Sequence, residues 1–471
     1  MSPELTIDPP PSPNTASSDA RPSRLADRDA AHVWHPFTPM TAHAREDIPC
    51  IVEAEGFELV DDRGRRYLDG ISSLWCNVHG HRVPKIDAAI RDQLGRVAHT
   101  TLLGLNSQPS IELAARLAAL APGDLSHVFY SDSGSTAVEA ALKIAWQYHR
   151  QKPQPDERDL FLTVSGAYHG DTIGSVSLGS IRLFHQVYGG LLFDTVSVPS
   201  PGQFPRPDGM ATDAWHRHCF AAVAEVAREH ADRLAAIVIE PLVQGAAGIW
   251  THPSGYLAHL RQLADDAGAL LIADEVAVGF GRTGTLFACE HENVAPDLLC
   301  LAKGLTGGYL PLAATLATPT IYDAFLGEPH EGRTFFHGHT FTGNPLACAA
   351  AMASLDLFET GDVLGNAATL ADALAEELAP LRRHPHVAEV RQCGVMVGIE
   401  LCRSRQPYEP FEATRRMGHE VTKAGRKRGI LVRPLGDVVV LMPAPAMPEP
   451  LVRTLARETI AAIDDALAAN A

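Results

Sequence analysis

The chain has 471 residues, 46% of them hydrophobic and 20% charged, the proportions of a soluble globular protein. With 39 basic against 56 acidic residues it carries a net charge of −17, which argues against nonspecific binding to nucleic acid or anionic membrane, since both need basic patches. No apolar run approaches the roughly 18 residues of a membrane helix, the N-terminus has no apolar signal core, and the eight cysteines contain no C-x-x-C pair, so a cytoplasmic, reducing location is expected.

Residues 1–24 are rich in Pro, Ser, Asp and Ala and read as a disordered tail. Folded structure is expected to begin near Trp34-His35-Pro36-Phe37. Alternating apolar residues from Ile51 to Tyr67, broken at Asp61-Asp62-Arg63-Gly64, suggest an antiparallel hairpin. Asp87–Leu94 and Ser110–Leu120 read as helices. From Val128 the pattern changes to short apolar runs alternating with helical segments: Val128–Tyr130, Leu160–Val164, Ala235–Ile239, Leu270–Ala273 and Leu298–Ala302. That rhythm predicts an α/β fold with a mostly parallel sheet covered by helices. Beyond Ala347 the text is helical and then mixed, with Val438–Leu441 a strand. The expected organisation is a tail (1–24), a small α+β domain built from both chain ends (25–85 and 347–471), and a large α/β domain between them (86–346).

Several stretches in this frame bear on chemistry. Ser133-Gly134-Ser135 follows a strand and opens the segment Ala137–His149, where free first-turn amides and the positive helix end suit a phosphate; taken by itself the stretch reads better as an ordinary helix cap. Tyr168, in Tyr-His-Gly-Asp, suits stacking on a planar ring or a place in the core. The run Leu270–Ala273 stops at Asp274-Glu275, and Leu298–Ala302 stops at Lys303, so an acid and an amine are expected where α/β sheets hold their ligands. A lysine there suits Schiff-base formation with an aldehyde cofactor, and an acid opposite a pyridinium nitrogen completes a pyridoxal phosphate site. Gly279-Phe280-Gly281-Arg282-Thr283-Gly284 matches G-x-G-x-x-G, but no apolar-periodic helix opens after it, so it reads as a glycine-rich loop rather than a dinucleotide site. His79-Gly80-His81 and His337-Gly338-His339 lack the spacing of metal ligands. Arg433, before the Val438 strand, suits a substrate carboxylate.

Taken together these residues resemble the class III, or omega-type, pyridoxal phosphate aminotransferases of fold type I. The resemblance runs from about Trp34 to the C-terminus, through Ser-Gly-Ser at 133–135, Tyr-His-Gly-Asp at 168–171, Glu-Pro-Leu-Val-Gln-Gly at 240–245, Asp-Glu-Val at 274–276, the 279–284 loop and Lys-Gly-Leu-Thr-Gly-Gly at 303–308. Trp-His-Pro-Phe at 34–37, the 337–348 segment and Arg-Pro-Leu-Gly at 433–436 are similar to the branch that aminates 8-amino-7-oxononanoate to 7,8-diaminononanoate in biotin synthesis. The resemblance implies Lys303 as the Schiff-base lysine, Asp274 as partner of the pyridine nitrogen, and Tyr168 against the ring. Gly134 and Ser135 would bind the cofactor phosphate. His339 and Thr340 match a segment that reaches it from the neighbouring subunit, which implies a homodimer with shared sites. Phe37, Leu74, Trp75, Tyr168, Gly338 and Arg433 would border small-molecule substrates. Most of that branch, which uses S-adenosylmethionine as amino donor, has tyrosine in place of Phe37 and tryptophan in place of Leu74; a group that uses lysine looks closer here. The competing readings are an omega-aminotransferase acting on diamines, ornithine or 4-aminobutyrate, a metal-dependent hydrolase using the histidine pairs and Asp274-Glu275, and a non-enzymatic scaffold.

Overall fold

The computed structural model describes residues 24–181, 184, 186–207 and 210–470. The expected tail lies outside them except for Arg24, which begins the helix Arg24–His32. By internal contacts the chain forms two units, residues 1–53 with 60–65 and residues 54–59 with 66–471.

In the first unit Asp29 gathers two histidines, His35 Nε2 at 2.8 Å and His43 Nε2 at 3.2 Å from its carboxylate. The break foreseen at Asp61–Gly64 is a tight turn in which one Asp61 oxygen accepts the amides of Arg63 (3.0 Å) and Arg65 (2.9 Å). The single strand expected before that turn is two, Ile51–Glu55 and Glu58–Asp61. Gly56, with φ +57°, turns the chain between them.

The second unit is built on a seven-stranded sheet. Its order is His127–Ser131, Ala313–Ala317, Leu298–Leu301, Leu270–Asp274, Leu234–Ile239, Leu160–Val164, Val196–Val198. All pairings are parallel except those of Ala313–Ala317, which runs against both neighbours. Both faces are covered, as a parallel sheet requires, and the strands show it residue by residue. Leu271, Ala273, Leu299 and Leu301 enter one buried cluster with the helix Tyr256–Ala267, whereas Leu270, Ile272, Leu298 and Cys300 enter another with the helix Gly134–Gln151. Burying a leucine completely is worth about 1.5–3 kcal/mol, so this alternation fixes which way each strand end faces. A four-stranded antiparallel sheet, ordered Val387–Cys393, Met396–Leu401, Val438–Leu441, Arg433–Leu435, packs with the helices Val363–Glu377, Met417–Lys427 and Glu449–Ala469 around a separate core.

Candidate active site

Two adjacent parallel strands end at the site. Asp274 is the last residue of one and pairs with Cys300 of the next, three residues before Lys303. Lys303 itself is left-handed (φ 43°), a conformation that a non-glycine residue keeps only where its surroundings fix it. Among the described residues its amine makes no hydrogen bond or ion pair, and it stands 5.0 Å from the centroid of the Trp75 ring. Burial lowers the Lys303 pKa, against the opposing pull of the Asp274 and Glu240 charges.

Asp274 is buried and its two oxygens have different partners. Oδ1 accepts the Val276 amide at 3.0 Å, and Oδ2 accepts from His169 Nδ1 at 2.7 Å. Burial opposes charge on His169, but the Asp274 hydrogen bond and charge outweigh it and raise its pKa. The other ring nitrogen, Nε2, is buried and has no hydrogen-bond partner among the described residues. Glu240, also buried, accepts the Gly245 amide at 2.9 Å and the Tyr168 amide at 3.3 Å. Burial pushes its carboxyl up to about 7. Glu275, by contrast, does not join Asp274: its carboxylate accepts the amides of Ala288 (2.6 Å) and Cys289 (2.8 Å) at the start of the next turn.

The helix Gly134–Gln151 begins beside this acid. Ser133 caps it, its hydroxyl accepting the Thr136 amide, which leaves the amides of Gly134 and Ser135 with no partner the helix can offer. Gly134 is required by close approach, because a Cβ there would lie 2.4 Å from Val276 Cγ1. The Tyr168–Asp171 loop crosses the same helix end: the Ser135 hydroxyl accepts the Thr172 amide at 3.0 Å, and a Cβ on Gly170 would lie 2.3 Å from Ser135 Oγ. Tyr168 donates its hydroxyl to Asp171 at 2.6 Å; burial, then that bond, raises its pKa.

Lys303, Asp274, Tyr168, Gly134, Ser135, Trp75 and Arg433 thus belong to one linked set. Arg433 is half-buried, its guanidinium makes no hydrogen bond or ion pair among the described residues, and it lies close enough to Tyr168 for their charges to interact, while burial lowers its pKa. Trp75 is 6% exposed and Leu74, before it, 47%. His339 holds the Thr342 hydroxyl through its amide at 3.0 Å and stands 3.9 Å from Asp132, whereas Gly338 and Thr340 are exposed. Phe37 belongs to the first unit and is 55% exposed. The sequence did not single out the roles of His169 and Glu240, whose partners lie 105 and 72 residues away; their places in Tyr-His-Gly-Asp and Glu-Pro-Leu-Val-Gln-Gly were the available signal. Nor did it foresee Arg282, buried in the glycine-rich loop and bonded to Ser72, Asn77 and Pro443. Among the described residues the histidine pairs form no metal cluster; the one grouping of that kind is Asp29, His35 and His43.

Residues 40–463 match the family described as aminotransferase class-III. The chain is 57% identical, over 94% of its length and 82% of the relative's, to the adenosylmethionine-8-amino-7-oxononanoate aminotransferase of Nitratidesulfovibrio vulgaris. The crystal structure of the protein of that name from Methanocaldococcus jannaschii superposes with a TM-score of 0.89 at 38% identity, covering 94% of this chain and 98% of that one. An amine transaminase from an uncultivated Pseudomonas species, solved with pyridoxal phosphate bound, does so with 0.85 at 36% identity, covering 93% and 98%.

Proposed function

The chain belongs to the class-III aminotransferase family, and on that premise we propose that this pyridoxal phosphate-dependent transaminase aminates 8-amino-7-oxononanoate to 7,8-diaminononanoate in biotin synthesis. The observation that carries the substrate is the 57% identity, over nearly the whole chain, to a protein named for it. The site's chemistry agrees. An amine without an ion pair, a buried acid and the open start of an 18-residue helix are the donor set that a phosphorylated pyridine aldehyde needs. When bound, that cofactor supplies an aldehyde and an electron-withdrawing ring.

In this reading Gly134 and Ser135 would hold the phosphate through their amides, and Asp274 would face the ring nitrogen and keep it protonated. His169, tied to Asp274 Oδ2, keeps that carboxylate oriented. Tyr168 borders the ring and, through Asp171, is held in place. Lys303 Nζ moves the proton: it takes it from the carbon bearing the donor amine and returns one when the acceptor is aminated. Its lowered pKa leaves more of the neutral amine available for that work. Arg433 takes the carboxylate of the acceptor, its fork matching the two oxygens. A homodimer in which His339 and Thr340 reach the partner's phosphate, with Gly338 beside the substrate, accounts for the exposure of Thr340 and of Phe336 (82%) and Phe341 (57%). Eight free cysteines, five of them buried, accord with a cytoplasmic enzyme.

The donor is S-adenosylmethionine or lysine, and Phe37, Leu74 and Trp75 are the residues that would choose between them. Purified enzyme given 8-amino-7-oxononanoate with each donor in parallel tests the proposal. Diaminononanoate should form with at least one. No product with either, together with turnover of 4-aminobutyrate, ornithine or a diamine, would replace it with the broader omega-aminotransferase reading.

A further inference from the structure

Four consecutive residues, Ser72, Ser73, Leu74 and Trp75, have φ of 50°, 48°, 74° and 68°. L-residues visit the left-handed region singly, and glycine takes most such places. A whole left-handed turn without a glycine persists only where its surroundings over-determine it. Here they do. Asp69, 3% exposed, accepts the Ser73 amide on Oδ1 (3.0 Å) and the Ser73 hydroxyl on Oδ2 (2.8 Å), with His81 Nε2 at 3.1 Å from the same Oδ2. On the other side Ser72 donates its hydroxyl to the Met442 carbonyl (2.7 Å) and accepts from Arg282 Nη1 (3.1 Å).

What this turn delivers is the indole of Trp75. A tryptophan side chain leaves the backbone in a direction set by its own φ and by the turn before it, so a right-handed or extended path here would aim the ring elsewhere. As built, the ring lies 5.0 Å from Lys303 Nζ and backs onto Gly245, where a Cβ would come within 3.0 Å of Cζ3. Leu74, one residue earlier on the same turn, is left half-exposed. Leu74, where the sequence departs from the branch it resembles, and Trp75, where it does not, therefore share one turn held by the Asp69 carboxylate through Ser73.

We propose that Asp69 is a positioning residue of the active site: by holding the left-handed turn Ser72–Trp75 it sets where the Trp75 indole stands against the Lys303 amine, and so which amino donor the site admits. The proposal rests on the transaminase reading of Lys303 for its consequence, but not for its geometry.

The test compares wild type, Asp69→Ala and Asp69→Ala/Ser73→Gly as holoenzymes. Crystal structures report φ at 72–75 and the distance from Trp75 to Lys303, and steady-state kinetics report KM and kcat for the amino donor. In Asp69→Ala the turn should leave the left-handed region and the indole withdraw. Donor KM should rise about tenfold or more, the scale of a lost pocket contact, with cofactor still bound by its visible absorbance. Adding Ser73→Gly should recover at least about threefold, because glycine takes positive φ without a carboxylate to hold it. An unmoved turn with donor KM within about twofold of wild type would overturn the proposal. So would a raised KM that Ser73→Gly does not recover, the mark of a buried residue that only supports the fold. Should Asp69→Ala not fold, Asp69→Asn keeps the acceptor for the Ser73 amide while giving up the carboxylate oxygen shared by the Ser73 hydroxyl and His81; an unchanged donor KM and turn in that variant would overturn it equally. A displaced indole in a protein that transaminates no donor would sustain the positioning and sink the transaminase reading alone.

Discussion

Gly134→Ala places a methyl group in space that the structure has already filled. Its carbon would lie 2.4 Å from Val276 Cγ1, 2.9 Å from Cγ2 and 3.2 Å from Cβ. The first two are closer than carbon atoms approach, and Val276 cannot give way freely, because its amide is bonded to Asp274 Oδ1 at 3.0 Å. Either the helix start lifts away from the strand end or the Asp274 turn shifts. Forcing one methyl group into a packed contact costs about 1–3 kcal/mol, and each 1.4 kcal/mol is tenfold in a binding constant. If the relaxation falls on the phosphate-holding amides, the cofactor dissociation constant rises about 5- to 150-fold. The assay is titration of the stripped protein with pyridoxal phosphate, following visible absorbance. Gly134→Ala/Val276→Ala removes the obstructing methyl groups and should recover most of the loss, a coupling that a double-mutant cycle measures. Gly134→Ala binding within about twofold of wild type, with unchanged melting temperature, would refute the claim that this contact joins the helix start to the acid.

Arg433→Ala should lower kcat/KM for 8-amino-7-oxononanoate about 10- to 100-fold, the worth of a charge-assisted hydrogen bond of about 1.5–3 kcal/mol, and leave the donor half-reaction nearly unchanged; stopped-flow half-reactions separate the two, and equal loss in both would remove the carboxylate role. Glu240 gives a pH test. Burial raises its carboxyl from 4.5 to about 7, so between those values the folded chain keeps a proton that the unfolded chain releases. This contribution to stability is therefore full below about pH 4.5 and is lost as pH rises through about 7. Glu240→Gln should flatten the stability–pH curve of the stripped protein by on the order of 3 kcal/mol across that window. Parallel curves for the two proteins, from denaturant unfolding at several pH values, would show that Glu240 does not carry the proton.

Sequence periodicity located the strands that carry the chemistry to within a residue or two, because each is a short apolar run buried on both faces: Leu160–Val164 and Val438–Leu441 match in full, and Leu270–Asp274 extends the expected strand by the acid itself. Ala313–Ala317 went unseen. Its Ala-Ala-Thr-Leu-Ala text has little of the β-branched and aromatic character of a strand, and only its two antiparallel neighbours make it one. The placement of Asp274 and Lys303 at the ends of adjacent strands was legible from where the apolar runs stop. The Asp274–His169 bond, the Val276 contact that demands Gly134, and Arg282 reaching Ser72 were not, since each joins residues far apart in sequence. The left-handed turn at Ser72–Trp75 left no local signal either, because nothing in Ser-Ser-Leu-Trp prefers positive φ.

The central claim is that the amine of Lys303 and the acid of Asp274 serve one cofactor ring. Reducing the holoenzyme with borohydride and mapping the lysine that retains the pyridoxyl group addresses it most directly, with Asp274→Asn alongside. Lys303 should carry the group alone, and Asp274→Asn should carry it on the same lysine while losing about two to three orders of magnitude in turnover, the scale of one electrostatic contribution to the transition state. A pyridoxyl group on any other lysine, or an Asp274→Asn enzyme as fast as wild type, would contradict the account.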